Sequence, residues 1–316
     1  MYIACSTITW GSFRAAPDRN QQPDPYAGRA GYARMLDEVR EAGYSHVVAG
    51  GGRRRASPDQ QGGEPMPSTP EEVLAFLAEH GLKPAPGYYS GQPLYDPANR
   101  PGEIEGARRA AAFMRALGLD ALFVGPVMFP HRRDTAGHYP QGNRPDSLSE
   151  AQWQEECETL NRMGEACRAE GVWLCLHNHA GSCWETEDEL ERLAQGTDPS
   201  LVAFGPDVGH MVWGGIDPVT WFERHMGRVK SIHIKDMHAT VLRRCREEKL
   251  TYAQTAALGV FAEIGEGGVR WPALFELWRA ARYEGAVIVE TDRTTKPSAK
   301  ESATISRRYL RDVIQV

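Results

Sequence analysis

Four short polar segments in the second half of the chain carry the side chains best suited to chemistry. Each follows or ends an apolar, β-branched run typical of a buried strand, and each places His, Asp or Glu where that strand gives way to a loop. Because helical patterns separate them, the four segments predict one divalent-metal site built from successive strand ends. They are His177-Asn178-His179, Pro206-Asp207-Val208-Gly209-His210, Ile232-His233-Ile234-Lys235-Asp236 and Val289-Glu290-Thr291-Asp292.

Four side chains from these segments form the predicted ligand set. An imidazole or carboxylate that faces the interior of a barrel is costly unless it is neutralised or used. A divalent cation resolves this cost by pairing with all of them. Mixed imidazole and carboxylate ligation suits Mn²⁺ or Co²⁺, with Zn²⁺, Fe²⁺ and Mg²⁺ as alternatives, better than Ca²⁺. The predicted ligands are His177, Asp207, His233 and Glu290.

The predicted chemistry follows from a cation placed beside acids and bases. A cation on a ketone and its neighbouring hydroxyl stabilises the enediolate that forms when the α-proton leaves. The candidate bases are Glu290, His179 and Glu185, and the candidate acids are His210 and Lys235. Protonation elsewhere gives isomerisation or epimerisation, loss of a β-hydroxyl gives dehydration, and loss of an aglycone gives β-elimination from a 3-keto-glycoside. The residues leave these outcomes open.

Alternating strand and helix patterns must position these segments. Parallel strands need crossover connections, so eight strand–helix units predict an α/β fold, a (β/α)₈ TIM barrel with its site at the C-terminal strand ends. A barrel of this kind accommodates all 316 residues as one domain. The predicted strands are Tyr2–Thr7, Tyr44–Ala49, Leu82–Tyr89, Ala121–Val124, Val172–His177, Val202–Pro206, Val229–Ile234 and Ala286–Glu290.

Three long segments interrupt this alternation. Asp18–Ala27 and Met128–Ser147 are rich in turn-forming residues and are predicted to be long βα loops above the site. The third, residues 237–265 after strand seven, contains a helical stretch around Thr240–Leu258 and is predicted to be a lid or an oligomer contact. A doubly wound open sheet would instead need a phosphate-binding turn. Gly50–Arg55 lacks the required GxGxxG spacing, so we interpret it as a mobile loop.

Composition excludes several functional classes. The net charge of −6 gives no general attraction to nucleic acid or to an anionic membrane. No apolar run reaches the roughly 18 residues needed to span a bilayer, and no signal-peptide pattern follows Met1. The six cysteines are scattered without a CxxC pair, as expected for reduced thiols. We therefore expect a cytoplasmic protein.

The strand-end motifs resemble those of the xylose-isomerase-like barrel superfamily of sugar isomerases, epimerases and dehydratases. The motifs are His-Asn-His, Asp-Val-Gly-His, His-Ile-Lys-Asp, Gly-Glu-Gly and a terminal Val-Glu. The second half is most similar to the inosose dehydratases, which remove water from a keto-inositol, and the first half is similar only in outline. The similar segments are His179–Ser182, Pro206–His210, His233–Asp236, Leu250–Tyr252, Phe261–Gly268 and Glu290.

The resemblance implies a metal held by a Glu on strand five and then by Asp, His and Glu. His177 stands where that first Glu commonly sits, so Glu185 is the alternative first ligand. Similar dehydratases tend to carry an acidic residue at the end of strand two, where this chain has Val47–Gly50. After strand four, Gly125-Pro126 replaces polar residues. The substrate-facing half of the pocket is therefore expected to differ, whereas the metal chemistry is not.

Five residues are predicted to bind substrate. The resemblance favours Trp10, after strand one, as a surface on which a sugar ring stacks, and Trp213 is a second candidate. Glu266 belongs to the Gly-Glu-Gly motif, and His210 and Lys235 complete the set. The expected partner is a small-molecule carbohydrate, with no nucleic acid and no membrane, and a homo-oligomer is left open.

Two other functions compete with this interpretation. An apurinic endonuclease uses the same barrel but needs a three-metal cluster and a basic DNA groove, which Tyr88-Tyr89-Ser90, Gly125-Pro126 and the negative net charge do not favour. A non-catalytic sugar-binding barrel remains an alternative if the first metal ligand is lost.

Overall fold

The structure is a computed structural model, and it describes residues 1–12, 25–48 and 65–316. The Gly50–Arg55 loop and most of the Asp18–Ala27 loop, both predicted from the sequence, lie outside these residues. Within the described part of the chain, no helix is both long enough and apolar enough to span a bilayer.

Strands and helices alternate along the described chain. The strands are β1 (Tyr2–Cys5), β2 (His46–Val48), β3 (Lys83–Ala85), β4 (Tyr88–Ser90), β5 (Ala121–Gly125), β6 (Trp173–Leu176), β7 (Val202–Phe204), β8 (Ser231–Ile234), β9 (Asp236–Met237), β10 (Phe261–Ala262) and β11 (Ala286–Val289). The helices are α1 (Ile8–Ser12), α2 (Gly28–Glu41), α3 (Pro70–Glu79), α4 (Arg100–Ala116), α5 (Pro130–Asp134), α6 (Glu150–Ala169), α7 (Glu187–Gly196), α8 (Val208–Gly214), α9 (Pro218–His225), α10 (Ala239–Glu248), α11 (Tyr252–Ala257), α12 (Trp271–Ala280) and α13 (Ala299–Tyr309).

Eight strand positions form a parallel barrel. One sheet has the order β3-β2-β1-β11-β8, and the second has the order β4-β5-β6-β7. Two parallel bridges, Phe204–Val229 and Asp207–His233, join β7 to β8. On the other side, β3 pairs with β2 and β4 pairs with β5, so these two short strands together fill one barrel position. The predicted (β/α)₈ barrel is confirmed.

The third barrel position differs from the prediction. A continuous strand is predicted over Leu82–Tyr89, but regular pairing stops at Ala85 and resumes at Tyr88. Pro86 lies in the break, where it has no N–H to donate to a neighbouring strand. The break transfers the pairing from β2 to β5, and it leaves Tyr88 towards the C-terminal end of the barrel.

Small side chains fill much of the barrel interior below the strand ends. They form a buried cluster with one large ring, and its members are Ala4, Ala85, Ala121, Phe123, Cys175, Ala203, Ala286 and Ile288. The Phe123 ring stacks on the ring of His233, with centroids 4.3 Å apart, and meets the ring of His177 edge-on at 5.8 Å. This ring is therefore the floor beneath the polar side chains at the strand ends.

The insertion predicted at residues 237–265 is bounded by β9 and β10, which pair with each other in antiparallel fashion. One helical stretch is predicted around Thr240–Leu258, but two helices form. Lys249, with a φ of 54°, ends α10 in the left-handed conformation. Thr251 then begins α11 through a capping box.

The predicted Met128–Ser147 loop contains α5 and is held by two buried ion pairs to the chain that follows β6. Arg132 pairs with Glu189 at 2.8 Å, and Arg144 pairs with Glu185 at 2.7 Å. Because breaking either pair would leave the buried carboxylate of Glu185 or Glu189 without its arginine, this loop has a strongly favoured position.

Candidate active site and metal centre

Three predicted metal ligands meet at the C-terminal ends of adjacent strands. His177 directly follows β6, and His233 lies within β8. Asp207 comes between them, where it caps α8 by accepting a hydrogen bond from the main-chain N–H of His210 at 3.0 Å. One ligand atom from each of these three residues can be chosen so that all lie within 4.8 Å of one another.

The donor set fits a divalent cation. His177 Nε2 lies 3.9 Å from Asp207 Oδ2, and His233 Nε2 lies 3.7 Å from Glu290 Oε2. Asp207 Oδ2 is buried, and among the described residues it accepts no hydrogen bond, although Lys235 Nζ is 3.2 Å away. A buried carboxylate oxygen with free lone pairs is costly, and a cation would satisfy it. Glu290 completes the predicted set of four.

Burial keeps the imidazoles in the form that binds metal. It lowers the pKa of His177 well below its usual value, with the His233 ring as a second cause. Burial and then Lys235 lower the pKa of His233 to about 3. Both rings are therefore neutral near pH 7, as metal ligation requires.

Lys235 is the positive centre of the group and has no exposed surface. Its Nζ lies 2.6 Å from Asp292 Oδ2, 3.1 Å from Glu290 Oε1 and 3.2 Å from Asp207 Oδ2. Burial alone would lower its pKa, but these carboxylates raise the pKa well above the ordinary value. With all three carboxylates ionised, the group contains three negative charges and one positive charge.

Two further histidines pack beside this group. The rings of His179 and His210 lie 3.7 Å apart between centroids, and His210 Nε2 is 3.1 Å from Lys235 Nζ. His179 Nδ1 lies 2.8 Å from the carbonyl oxygen of Ala180, so the proton of a neutral ring sits on Nδ1 and Nε2 is an acceptor. Burial and Lys235 lower the pKa of His179 to about 4. His179 is only partly buried, whereas His210 is fully buried.

Glu185 lies outside this group. Its Oε1 accepts hydrogen bonds from Arg144 Nη1 at 2.7 Å and from the N–H of Gly137 at 2.9 Å. Its Oε2 accepts a hydrogen bond from the N–H of Gly181 at 2.5 Å. Both oxygens therefore accept hydrogen bonds from loop residues, whereas His177 lies beside Asp207 and His233.

Two of the predicted substrate-binding residues are not brought to the histidines. Trp10 lies in α1 rather than at a strand end; its ring has no exposed surface, and its Nε1 donates to Glu38 Oε2 at 2.6 Å. Glu266 lies in the loop after β10 and accepts a hydrogen bond from Lys296 at 2.6 Å. The structure thus packs Trp10 against α2 and ties Glu266 to a surface lysine.

Trp213 is near the histidines but is covered. Tyr252 stacks on its face, with centroids 4.6 Å apart and planes 9° apart, and Trp213 has no exposed surface. Tyr252 also stacks on His179 at 5.9 Å. Tyr252 is partly exposed, and it therefore covers Trp213 on this side of the histidines.

The predicted site residues omit three side chains that the structure places in the group. Asp292 binds Lys235, and a signal was available because Asp292 lies two residues after Glu290, the spacing that returns a strand side chain to the same face. Asn178 pairs with the main chain of Asp207 in both directions, at 2.8 and 3.2 Å. Tyr88 meets the ring of His177 edge-on at 5.2 Å, a contact with no local signal in the sequence.

Comparison with known families agrees with this geometry. The Xylose isomerase-like TIM barrel family model matches residues 31–313. The chain belongs to this family. A solved structure of a sugar phosphate isomerase/epimerase from Parabacteroides distasonis has the same fold, with a TM-score of 0.66, 19% identity and coverage of 100% of this chain and 95% of that one.

Inosose dehydratases are among the relatives in sequence. That of Geobacillus kaustophilus is 28% identical over 263 residues, which are 82% of this chain and 79% of the relative. That of Geobacillus thermodenitrificans is 32% identical over 174 residues. This second match spans 55% of this chain and 58% of the relative, less than two thirds of its length.

Proposed function

We propose that the protein is a divalent-metal-dependent enzyme that dehydrates a keto-cyclitol or keto-sugar through an enediolate. The group formed by His177, Asp207 and His233, with Glu290 beside it, is the observation that carries this proposal. Its imidazoles are neutral. Burial raises the pKa of Asp207 to about 7, and when Asp207, Glu290 and Asp292 are all ionised around Lys235, their excess of two negative charges equals the charge of one divalent cation. The similarity to inosose dehydratases supports dehydration and a keto-inositol as the substrate.

His177, Asp207, His233 and Glu290 would hold the cation, with Mn²⁺ or Co²⁺ preferred and Zn²⁺, Fe²⁺ or Mg²⁺ as alternatives. When bound, such a cation supplies the positive charge that stabilises an enediolate oxygen.

His179 is the residue we assign as the base. Its Nε2 is an acceptor, its pKa lies below neutrality, and its ring is partly exposed beside the ligand group. Nε2 takes the α-proton, the resulting imidazolium exchanges this proton with solvent, and it then protonates the β-hydroxyl as the C–O bond breaks. Water leaves, the carbon–carbon double bond forms, and His179 is neutral again.

Lys235 positions other groups in this mechanism. Because it has no exposed surface, we assign it the roles of balancing charge and holding Glu290 and Asp292. The buried His210 packs behind the His179 ring and fixes its plane. Glu185 holds the loop that carries Gly181, so we assign it no chemical step.

The test uses protein loaded with Mn²⁺, in D₂O, with a keto-inositol, a ketose and a 3-keto-glycoside, each followed by NMR. Loss of water from the keto-inositol together with α-deuterium in recovered substrate is the expected result. His179→Gln should stop both, whereas the matched Glu185→Gln variant should retain both. Deuterium uptake without water loss would mean isomerisation or epimerisation, and release of the aglycone would mean β-elimination. No exchange with any substrate, despite bound metal, would refute the enediolate.

A further inference from the structure

We propose that Tyr88 and Tyr252 are a pair of hydroxyl donors that orient the substrate from two sides of the ligand group, so that the site selects a polyhydroxylated ring. This inference rests on the proposed function and names the residues that recognise its substrate. Tyr88 belongs to the barrel and Tyr252 to the insertion, so two separate parts of the chain supply the pair.

Tyr88 owes its position to a glycine on the neighbouring strand. A Cβ built on Gly125 would lie 1.3 Å from Tyr88 Oη and 2.3 Å from its Cζ, so the phenol occupies the space above Gly125. Its ring meets His177 edge-on and is partly exposed. The end of β5, which offers no polar side chain of its own, thus receives a hydroxyl from β4.

Tyr252 is placed by the insertion. It is the first residue of α11, where the Thr251 cap sets the start of the helix. Its ring stacks on Trp213 and on His179. Leu250, two residues before Tyr252, is held through its carbonyl oxygen by His138 Nε2 at 2.9 Å. The long βα loop and the insertion therefore fix this ring together.

The two hydroxyls experience the same charges. Burial and then Glu290 raise the pKa of Tyr88, and burial and then Asp292 raise the pKa of Tyr252. Lys235 and Asp207 act on both phenols. Each phenol therefore keeps its proton near pH 7. Within the described residues neither hydroxyl donates to a protein group, so both can donate to a ligand.

The placement of the pair determines the kind of ligand. β5, β6 and β7 separate β4, which carries Tyr88, from β8, after which the insertion with Tyr252 begins, so the two donors come from strands on different sides of the barrel. A ketone bound at the ligand group could accept hydrogen bonds from both tyrosines only if it had oxygen atoms on both sides of its carbonyl group. A cyclic polyol with hydroxyls around its ring meets this requirement, whereas a short ketone with one hydroxyl does not.

The experiment measures binding of myo-inositol, which has no ketone and cannot react, to the full chain loaded with Mn²⁺. Isothermal titration gives the affinity for the wild type, Tyr88→Phe, Tyr252→Phe and the double variant. Tyr89→Phe is the matched control, because the Tyr89 hydroxyl donates to the buried Glu103 instead. Phenylalanine retains each ring contact, and thermal melting checks that every variant is folded.

Each single substitution should weaken myo-inositol binding about 3- to 10-fold, the value of one hydrogen bond, and the double variant roughly 10- to 100-fold. With a keto-inositol as substrate, KM should rise by similar factors while kcat changes less than about threefold. Tyr89→Phe should leave both measurements unchanged.

The inference is overturned if the wild type does not bind myo-inositol, or if both Tyr→Phe variants bind it within twofold of the wild type. A fall in kcat at constant KM would also overturn it, because the hydroxyls would then act in the chemical step. Inositol binding without turnover would refute the proposed function and leave the donor pair intact. Turnover that is insensitive to both substitutions would refute the donor pair alone.

Discussion

Replacing Lys235 with methionine tests the charge balance of the site most directly. Methionine retains the apolar part of the side chain, which packs against Gly209, and removes the ammonium that contacts Asp207, Glu290 and Asp292. Losing one partner of a buried ion pair costs roughly 3–5 kcal/mol. A chain of 316 residues unfolds with about 0.66 kcal/mol/K of entropy, so the metal-free variant should melt roughly 5–8 °C below the wild type.

The same substitution should increase the effect of metal. The variant group carries one more negative charge, so adding Mn²⁺ should raise the melting temperature of Lys235→Met by more than that of the wild type. Differential scanning calorimetry with EDTA or with Mn²⁺ measures both effects. Lys300→Met is the control, since Lys300 pairs with the exposed Glu41 and such a surface pair contributes at most about 1 kcal/mol. A metal-free melting temperature equal to that of the wild type, or a smaller response to Mn²⁺, would refute the charge balance.

Three other outcomes can be measured on the same protein. His177→Ala should weaken Mn²⁺ binding by roughly 100-fold or more in a calorimetric titration, while Glu185→Gln stays within about threefold; the opposite order would make Glu185 the first ligand. Gly125→Ala should destabilise the fold by about 1–3 kcal/mol in urea, and Tyr88→Ala should relieve part of that loss, so additive effects would contradict the close contact. Since the pKa of His179 falls from 6.5 to about 4 on folding, its share of stability is complete above pH 6.5 and is lost as the pH falls towards 4. His179→Asn should therefore reduce the slope of the free energy of unfolding against pH in this range by up to about 1.4 kcal/mol per pH unit. An unchanged slope would contradict the lowered pKa of His179.

The barrel could be predicted because its signals are local. Apolar runs that end in turn residues recur eight times, and parallel pairing then brings their C-terminal ends together. The grouping of His177, Asp207 and His233 follows from this rule alone. The competition between His177 and Glu185 could not be decided from the sequence, because it depends on Arg144, a residue 41 positions earlier in the chain that binds Glu185.

The substrate-facing residues were harder to predict for a related reason. Trp10 and Trp213 are of the residue type on which sugar rings stack. Which aromatic rings are exposed, however, depends on residues that are distant in the sequence. Glu38 binds the first tryptophan, and Tyr252 covers the second. Tyr88 packs over Gly125. In the sequence, this glycine indicates only that a polar side chain is missing from the end of the strand. The single-domain organisation, the cytoplasmic location and the oligomeric state stay predictions.

The antiparallel pairing of β9 with β10 has a consequence for how such a site can diversify. The chain leaves the barrel through β9 and returns through β10, which pairs with β9. The 23 residues between Met237 and Phe261 therefore form an insertion whose two ends are adjacent. An insertion with adjacent ends can change in length or sequence without moving the strands of the barrel. Tyr252 lies in this insertion, whereas His177, Asp207 and His233 lie on the barrel strands or shortly after them. The part of the proposed substrate recognition that depends on Tyr252 can therefore change with this insertion, while the residues that would hold the metal remain unchanged.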